Sequence, residues 1–122
     1  MSAFLPWAFK QIEPVTKFAD NWDGYGAAAV TAEMASNAAC ILASLKAVFN
    51  VAEPIVGMTP DGGISFEWEC QSRSLEIEIE SELSLGTFLY RDTVINSARS
   101  GSIMTDNQVD PRFNLALRLM FL

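Results

Sequence analysis

Ile64-Ser65-Phe66-Glu67-Trp68-Glu69-Cys70 and, after a short polar turn, Leu75-Glu76-Ile77-Glu78-Ile79-Glu80 alternate apolar with polar or acidic residues. Side chains of a strand point to opposite faces in turn. The alternation therefore predicts a hairpin with Ile64, Phe66, Trp68, Leu75, Ile77 and Ile79 on one face and Glu67, Glu69, Glu76, Glu78 and Glu80 on the other. Like charges set opposite one another cost stability, so such a face must be solvated, interleaved with cations or reserved for a positive partner. This is a signature of a binding surface rather than of chemistry.

Working outward, Ile55-Val56-Gly57-Met58 reads as a preceding strand and Thr59-Pro60-Asp61-Gly62-Gly63 as its turn. Gly86 to Arg91 reads as a further strand, giving an antiparallel meander of three or four strands whose apolar face needs a cover. Thr31 is a good N-cap, and Met34, Ala38, Ile41, Leu45 and Val48, flanked by Leu42 and Phe49, form one stripe ending before Asn50 and Pro54. That helix supplies the cover. Its other side, Ser36, Ala39, Ala43, Lys46 and Ala47, is mostly small and suits either solvent or a close second backbone. Phe4 to Phe18, broken by Pro6 and Pro14, predicts a short helix or two turns with its aromatics on the core. Ser97 to Gln108 reads as a mobile loop. Asp110-Pro111 starts a final helix, with Phe113, Leu117 and Met120 on one side and an apolar end at Phe121 and Leu122. Such an end docks on its own core or on a second subunit. The fold class is α+β in a single domain over 1–122, with helical segments at the flanks of the meander.

The chain has 122 residues, half of them hydrophobic, enough for a core without metal or disulfide support. Its formal charge of −7, from 15 acidic and 8 basic residues, argues against direct nucleic-acid binding, which relies on lysine and arginine to displace counterions. A basic protein is the natural partner, including a nucleic-acid-binding protein whose groove takes carboxylates in place of phosphates. The sequence holds no histidine, which removes the commonest general base and the usual zinc frameworks. Cys40 and Cys70 lie in no metal-ligand spacing and are expected as small buried hydrophobes in a reducing compartment. No calcium loop and no phosphate loop is present, so neither metal nor cofactor is expected. Carboxylate pairs for acid–base hydrolysis sit about 5–5.5 or 6.5–9.5 Å apart. Residues two apart on any strand give about 7 Å, so that spacing carries no information. With no basic leader and no apolar stretch of membrane-spanning length expected, the chain reads as cytoplasmic.

Asp20-Asn21-Trp22-Asp23-Gly24-Tyr25-Gly26-Ala27 is a structured loop: Asn and Asp accept local backbone bonds and the glycines permit positive φ. This loop, together with Pro54-x-Val56-x-Met58-Thr59-Pro60-Asp61-Gly62-Gly63-Ile64-x-Phe66-Glu67-Trp68, resembles a family of small, mostly uncharacterised bacterial proteins with an NWDGYGA loop and a DGGI-x-x-EW hairpin. The resemblance spans roughly residues 20 to 91. It implies a bacterial or phage origin and an α+β fold, and no reaction.

The functional expectation is a non-enzymatic, acidic protein-binding module that inhibits or sequesters a basic partner, as antitoxins, immunity proteins and phage anti-defence proteins of the anti-CRISPR kind do. Glu67, Glu69, Glu76, Glu78 and Glu80 form its first patch, and Trp22, Asp23 and Tyr25 a second. The alternative is a homo-oligomer, at simplest a homodimer, joined through Phe113, Leu117, Met120 and Phe121. A carboxylate hydrolase ranks third, and would need a concave acidic pocket.

Overall fold

Five antiparallel strands in the order β1-β2-β3-β4-β5 form the sheet: β1 Ile55–Met58, β2 Ile64–Cys70, β3 Arg73–Ile79, β4 Thr87–Asp92 and β5 Ser97–Ser102. The computed structural model describes residues 3–80, 86–105 and 108–121. Three helices complete an α+β fold: α1 Leu5–Ile12, running into a 3-10 segment Glu13–Lys17, then α2 Ala32–Phe49 and α3 Pro111–Phe121. A small ribbon of β6 Met104–Thr105 and β7 Gln108–Val109 precedes α3.

The period-two pattern sets the sheet as the sequence predicts. Ile64, Phe66, Trp68, Leu75, Ile77 and Ile79 are all buried, joined by Phe88 and Tyr90 from β4. The turn Gln71-Ser72 fixes the register, pairing Trp68 with Leu75, Phe66 with Ile77 and Ile64 with Ile79. A slip of one residue would turn every one of these side chains into water.

Thr31 Oγ1 accepts the N–H of Met34 and caps α2, while Asn50 in the left-handed region closes it. The buried arc of α2 is wider than the predicted stripe: Met34, Ala38, Leu42 and Leu45 are joined by Ala35, Ala39 and Ala43. The widening comes from α1, which packs along α2 and uses its small residues for close approach. Lys46 sits at this seam, with its Nζ donating to the Val51 carbonyl at 3.0 Å and lying 5.2 Å from the Trp7 ring. Val48, predicted in the stripe, is exposed. Contrary to the expectation that no stretch is long enough, α2 has the length and apolar composition to cross a membrane. The buried arc accounts for part of that composition, with 39% of the helix buried inside the fold.

α3 lies with α2 on the apolar face instead of at its flank: the Phe113 ring is 5.2 Å from Phe88, and the Phe121 ring 5.5 Å edge-on from Trp68. Asp110 caps α3 by accepting from the N–H of Arg112 at 2.8 Å, with Pro111 in the first turn. Arg73 secures the other end, donating to the Leu119 carbonyl at 2.9 Å while its Nε stands 3.5 Å from Asp92. A cation at a helix C-terminus satisfies carbonyls that lack intrahelical partners.

Four expectations are corrected. Ser97–Ser102 is a strand, not a loop, because β4 pairs with it along its whole length; residues 106–107 of the predicted loop, and Leu122 of the apolar end, lie outside the described residues. The meander has five strands, not three or four. Cys40 and Cys70 are free and exposed, Cys70 because it is the last residue of β2 where the chain turns. Of the N-terminal aromatics, Trp7 packs against the core, whereas Phe4, Phe9 and Phe18 are exposed because Ala8 and Ile12 form the buried side of α1.

Candidate functional site

Register places the glutamates in rows across the outer face of the sheet. One row reads Gly57, Ser65, Glu78, Thr87, Ser102; the next Ile55, Glu67, Glu76, Leu89, Ser100; the last Glu69, Ser74, Arg91, Ala98. Glu67 and Glu76 are direct cross-strand partners. Arg91 is the one basic residue in these rows, and no ion pair among the described residues involves Glu67, Glu69, Glu76, Glu78 or Glu80. The predicted separation of oil from acid therefore holds, and Arg91 is the one cation set among the acid in these rows.

The carboxylates relieve their crowding along the strands. Glu67 is held above the ordinary carboxyl value of 4.5 by a hydrogen bond with Glu69, then by partial burial and by the Glu69 charge. Glu78 is raised by partial burial, then by a hydrogen bond with Glu76 and its charge; Asp61 adds to this, and a hydrogen bond with Glu80 opposes it. A hollow of about 550 Å³ opens beside Glu76 and Glu78, bounded by Thr87, Leu89, Ser100 and Ser102. It is concave and acidic, the setting that the hydrolase reading ranked third requires.

Asp92, under the sheet, behaves oppositely. Burial would raise its carboxyl, but the N–H of Val94, the Ser72 hydroxyl, the N–H of Ile95 and the Arg73 charge together outweigh burial and hold it below 3.8. The raised glutamates bind protons more readily folded than unfolded, so acidification toward 4.5 stabilises the fold, whereas protonating Asp92 below 3.8 destabilises it. The thermal midpoint is expected to rise from pH 7 toward pH 4.5 and to fall below pH 3.8. A midpoint that only falls on acidification would mean that the glutamates do not strain the folded face.

The second predicted patch divides. Asp23 Oδ1 accepts the N–H groups of Tyr25 and Ala27, at 2.8 and 3.1 Å. Trp22 Nε1 donates to the Ala28 carbonyl at 2.9 Å, with its ring edge-on to Phe18. These two residues hold the loop together, and only Tyr25 projects, 92% exposed. The loop abuts the β1–β2 turn: the N–H of Ala28 donates to the Pro60 carbonyl at 2.8 Å. Gly62, at φ +90°, faces Ala29 closely enough that a Cβ would lie 3.2 Å from its carbonyl oxygen. Gly63 of that turn lies against the backbone of Ile79 and Glu80, so the turn to which the loop is fastened borders the Glu80 end of the acidic strand.

The predicted oligomer interface is corrected. Phe113 and Leu117 are 2% and 1% exposed within the single chain, so they have no surface to offer a second copy; Met120 and Phe121 are half-buried against the same core. Sequence reasoning missed Asp61, whose proximity to Glu78 depends on the turn, and the hydroxyls of Ser100 and Ser102, which lie on the unrecognised strand. No group of His, Cys, Asp and Glu among the described residues has the arrangement to hold a metal ion.

The chain matches no known family model, no curated protein and no solved structure, and the site is therefore read from its own geometry.

Proposed function

We propose that this protein is a cytoplasmic, non-enzymatic binding module whose acidic sheet face captures and blocks a partner with a basic surface. The observation that carries the reading is the open face itself: Glu67 opposes Glu76, the neighbouring glutamates flank them, and no ion pair among the described residues relieves the group. A face that gives up stability in isolation regains it when cations arrive, and complementary charge also speeds encounter. Five strands at about 4.8 Å spacing and seven residues at about 3.4 Å make a footprint of roughly 550 Å². That is less than the roughly 800 Å² per partner of a standard interface, so neighbouring elements contribute too.

The test is the double reversal Glu76→Lys with Glu78→Lys, measured by calorimetric titration against the partner captured at low salt and released at high salt. Affinity is expected to fall at least tenfold and its salt dependence to flatten. The fold should survive, since a lysine in place of Glu76 faces Glu67 and turns a repulsive cross-strand pair into an attractive one, a gain of about 0.2–1 kcal/mol. Unchanged affinity in a variant of undiminished stability would leave the face as ordinary solvated surface.

A further inference from the structure

We infer that the hollow between α2 and the β6–β7 ribbon is a binding site for a small apolar molecule carrying a carbonyl oxygen, with the amide of Asn37 as the donor to that oxygen. The hollow measures about 340 Å³ and lies on the helical side of the sheet, so it is independent of the glutamate face. Its walls are the buried Leu45, Ile103 and Phe113, the half-buried Ile41 and Met104, and the exposed Val109. Such a volume is at the small end of natural ligand sites, and such a lining is typical of them.

Asn37 marks the hollow as more than a packing gap. It belongs to the stripe of α2 that forms one wall, with Cys40, Ile41, Ser44 and Leu45 spaced three and four residues along the same face. Asparagine is a poor helix former, and an aliphatic residue would suit this stripe better. Its Nδ2 is buried and has no hydrogen-bond partner, the one side-chain atom in that state among the described residues. A buried donor left unpaired costs stability and calls for an explanation. The wall's hydroxyl, on Ser44, already donates to the Cys40 carbonyl at 2.9 Å, so Asn37 holds the uncommitted donor.

The lining selects the occupant. Water needs about 2–4 polar partners to be held in a cavity, and these walls offer few. An apolar molecule covers the aliphatic and aromatic walls, and its carbonyl oxygen accepts from Asn37 once the flat amide turns about its soft terminal torsion. No cation lines the hollow, so a neutral carbonyl fits where a carboxylate would be desolvated without compensation.

The experiment uses Cys40 as a reporter. Cys40 is exposed and lines the hollow, whereas Cys70, also free and exposed, ends β2 and is the internal control. The full chain is alkylated with N-ethylmaleimide at rising concentrations of acetophenone, or of α-methylstyrene, which has the same shape with a methylene in place of the carbonyl oxygen. Labelling of each cysteine is read by mass spectrometry, and the concentration dependence of protection gives each affinity. Acetophenone is expected to slow alkylation of Cys40 about threefold or more and to leave Cys70 unchanged. Asn37→Leu should lower the ratio of acetophenone to α-methylstyrene affinity about fivefold or more, the worth of one hydrogen bond. Asn37→Ala, which adds no bulk, should lower it as well; both variants remove a group that the fold leaves unpaired, so both should fold. Absence of acetophenone protection at Cys40, equal protection of both cysteines, or an affinity ratio unmoved by both substitutions overturns the inference.

Discussion

Trp68→Ala is expected to remove about 3–5 kcal/mol of stability, the usual loss when a large aromatic is truncated in a packed core. The side chain is 4% exposed and lies between Phe66, 6.2 Å away between ring centroids, and Phe121, 5.5 Å away and edge-on. Its Nε1 donates to the Ala52 carbonyl at 2.7 Å, so it joins the entry to β1, the middle of the sheet and the last turn of α3. Domains of this size are stable by about 5–15 kcal/mol, so the loss consumes a large share. Trp68→Phe retains a ring but leaves the Ala52 carbonyl without its donor, and should cost about 1–3 kcal/mol. Urea unfolding curves separate the two variants. A loss below about 1 kcal/mol for Trp68→Ala would mean that α3 is not anchored through this ring.

Gly86→Ala should be comparably severe for a different reason. Gly86 has φ +81°, and a Cβ there would fall on the carbonyl oxygen of Glu78. The left-handed conformation costs a non-glycine residue roughly 1–2 kcal/mol. The overlap must be relieved by moving β3 or β4 at the position where Glu78 pairs with Thr87, at about 1–3 kcal/mol more. Gly24→Ala is the internal control: its φ is +79°, but nothing lies within 4 Å of the added Cβ. Only the conformational cost should then appear, and equal urea midpoints for the two alanine variants would refute the steric argument.

How much of this was legible depends on whether the signal is local. Alternation is local, so Ile64 to Glu80 yields the hairpin and its two faces from sequence alone. The caps Thr31 and Asp110 are local too, and both helices begin where those residues predict. β5 is not legible, since Ser97-Ala98-Arg99-Ser100-Gly101-Ser102 has no β-branched or aromatic residue. It is a strand because β4 offers it a partner and α3 packs against it, with Arg112 lying against Gly101. The wide buried arc of α2 is likewise a tertiary effect: alanine is silent in a periodicity argument until α1 is placed on it. In the site, the acidic face was readable, but the direct opposition of Glu67 and Glu76 depends on where the Gln71-Ser72 turn falls. Adjacency alone groups Trp22, Asp23 and Tyr25, and only the hydrogen bonds divide two structural residues from the projecting one.

β1 and β5 are the outermost strands of the sheet, and β5 bears no proline and only Arg99 as a charged residue to deter a stranger from adding to it. Thinly guarded margins of this kind invite copies to zip together into fibres. Anionic side chains two strands inward make every approaching twin an unwelcome neighbour, so the groups that would welcome a cationic visitor also police self-association. Acid would disarm that patrol under the very conditions in which each isolated molecule is most comfortable in its fold.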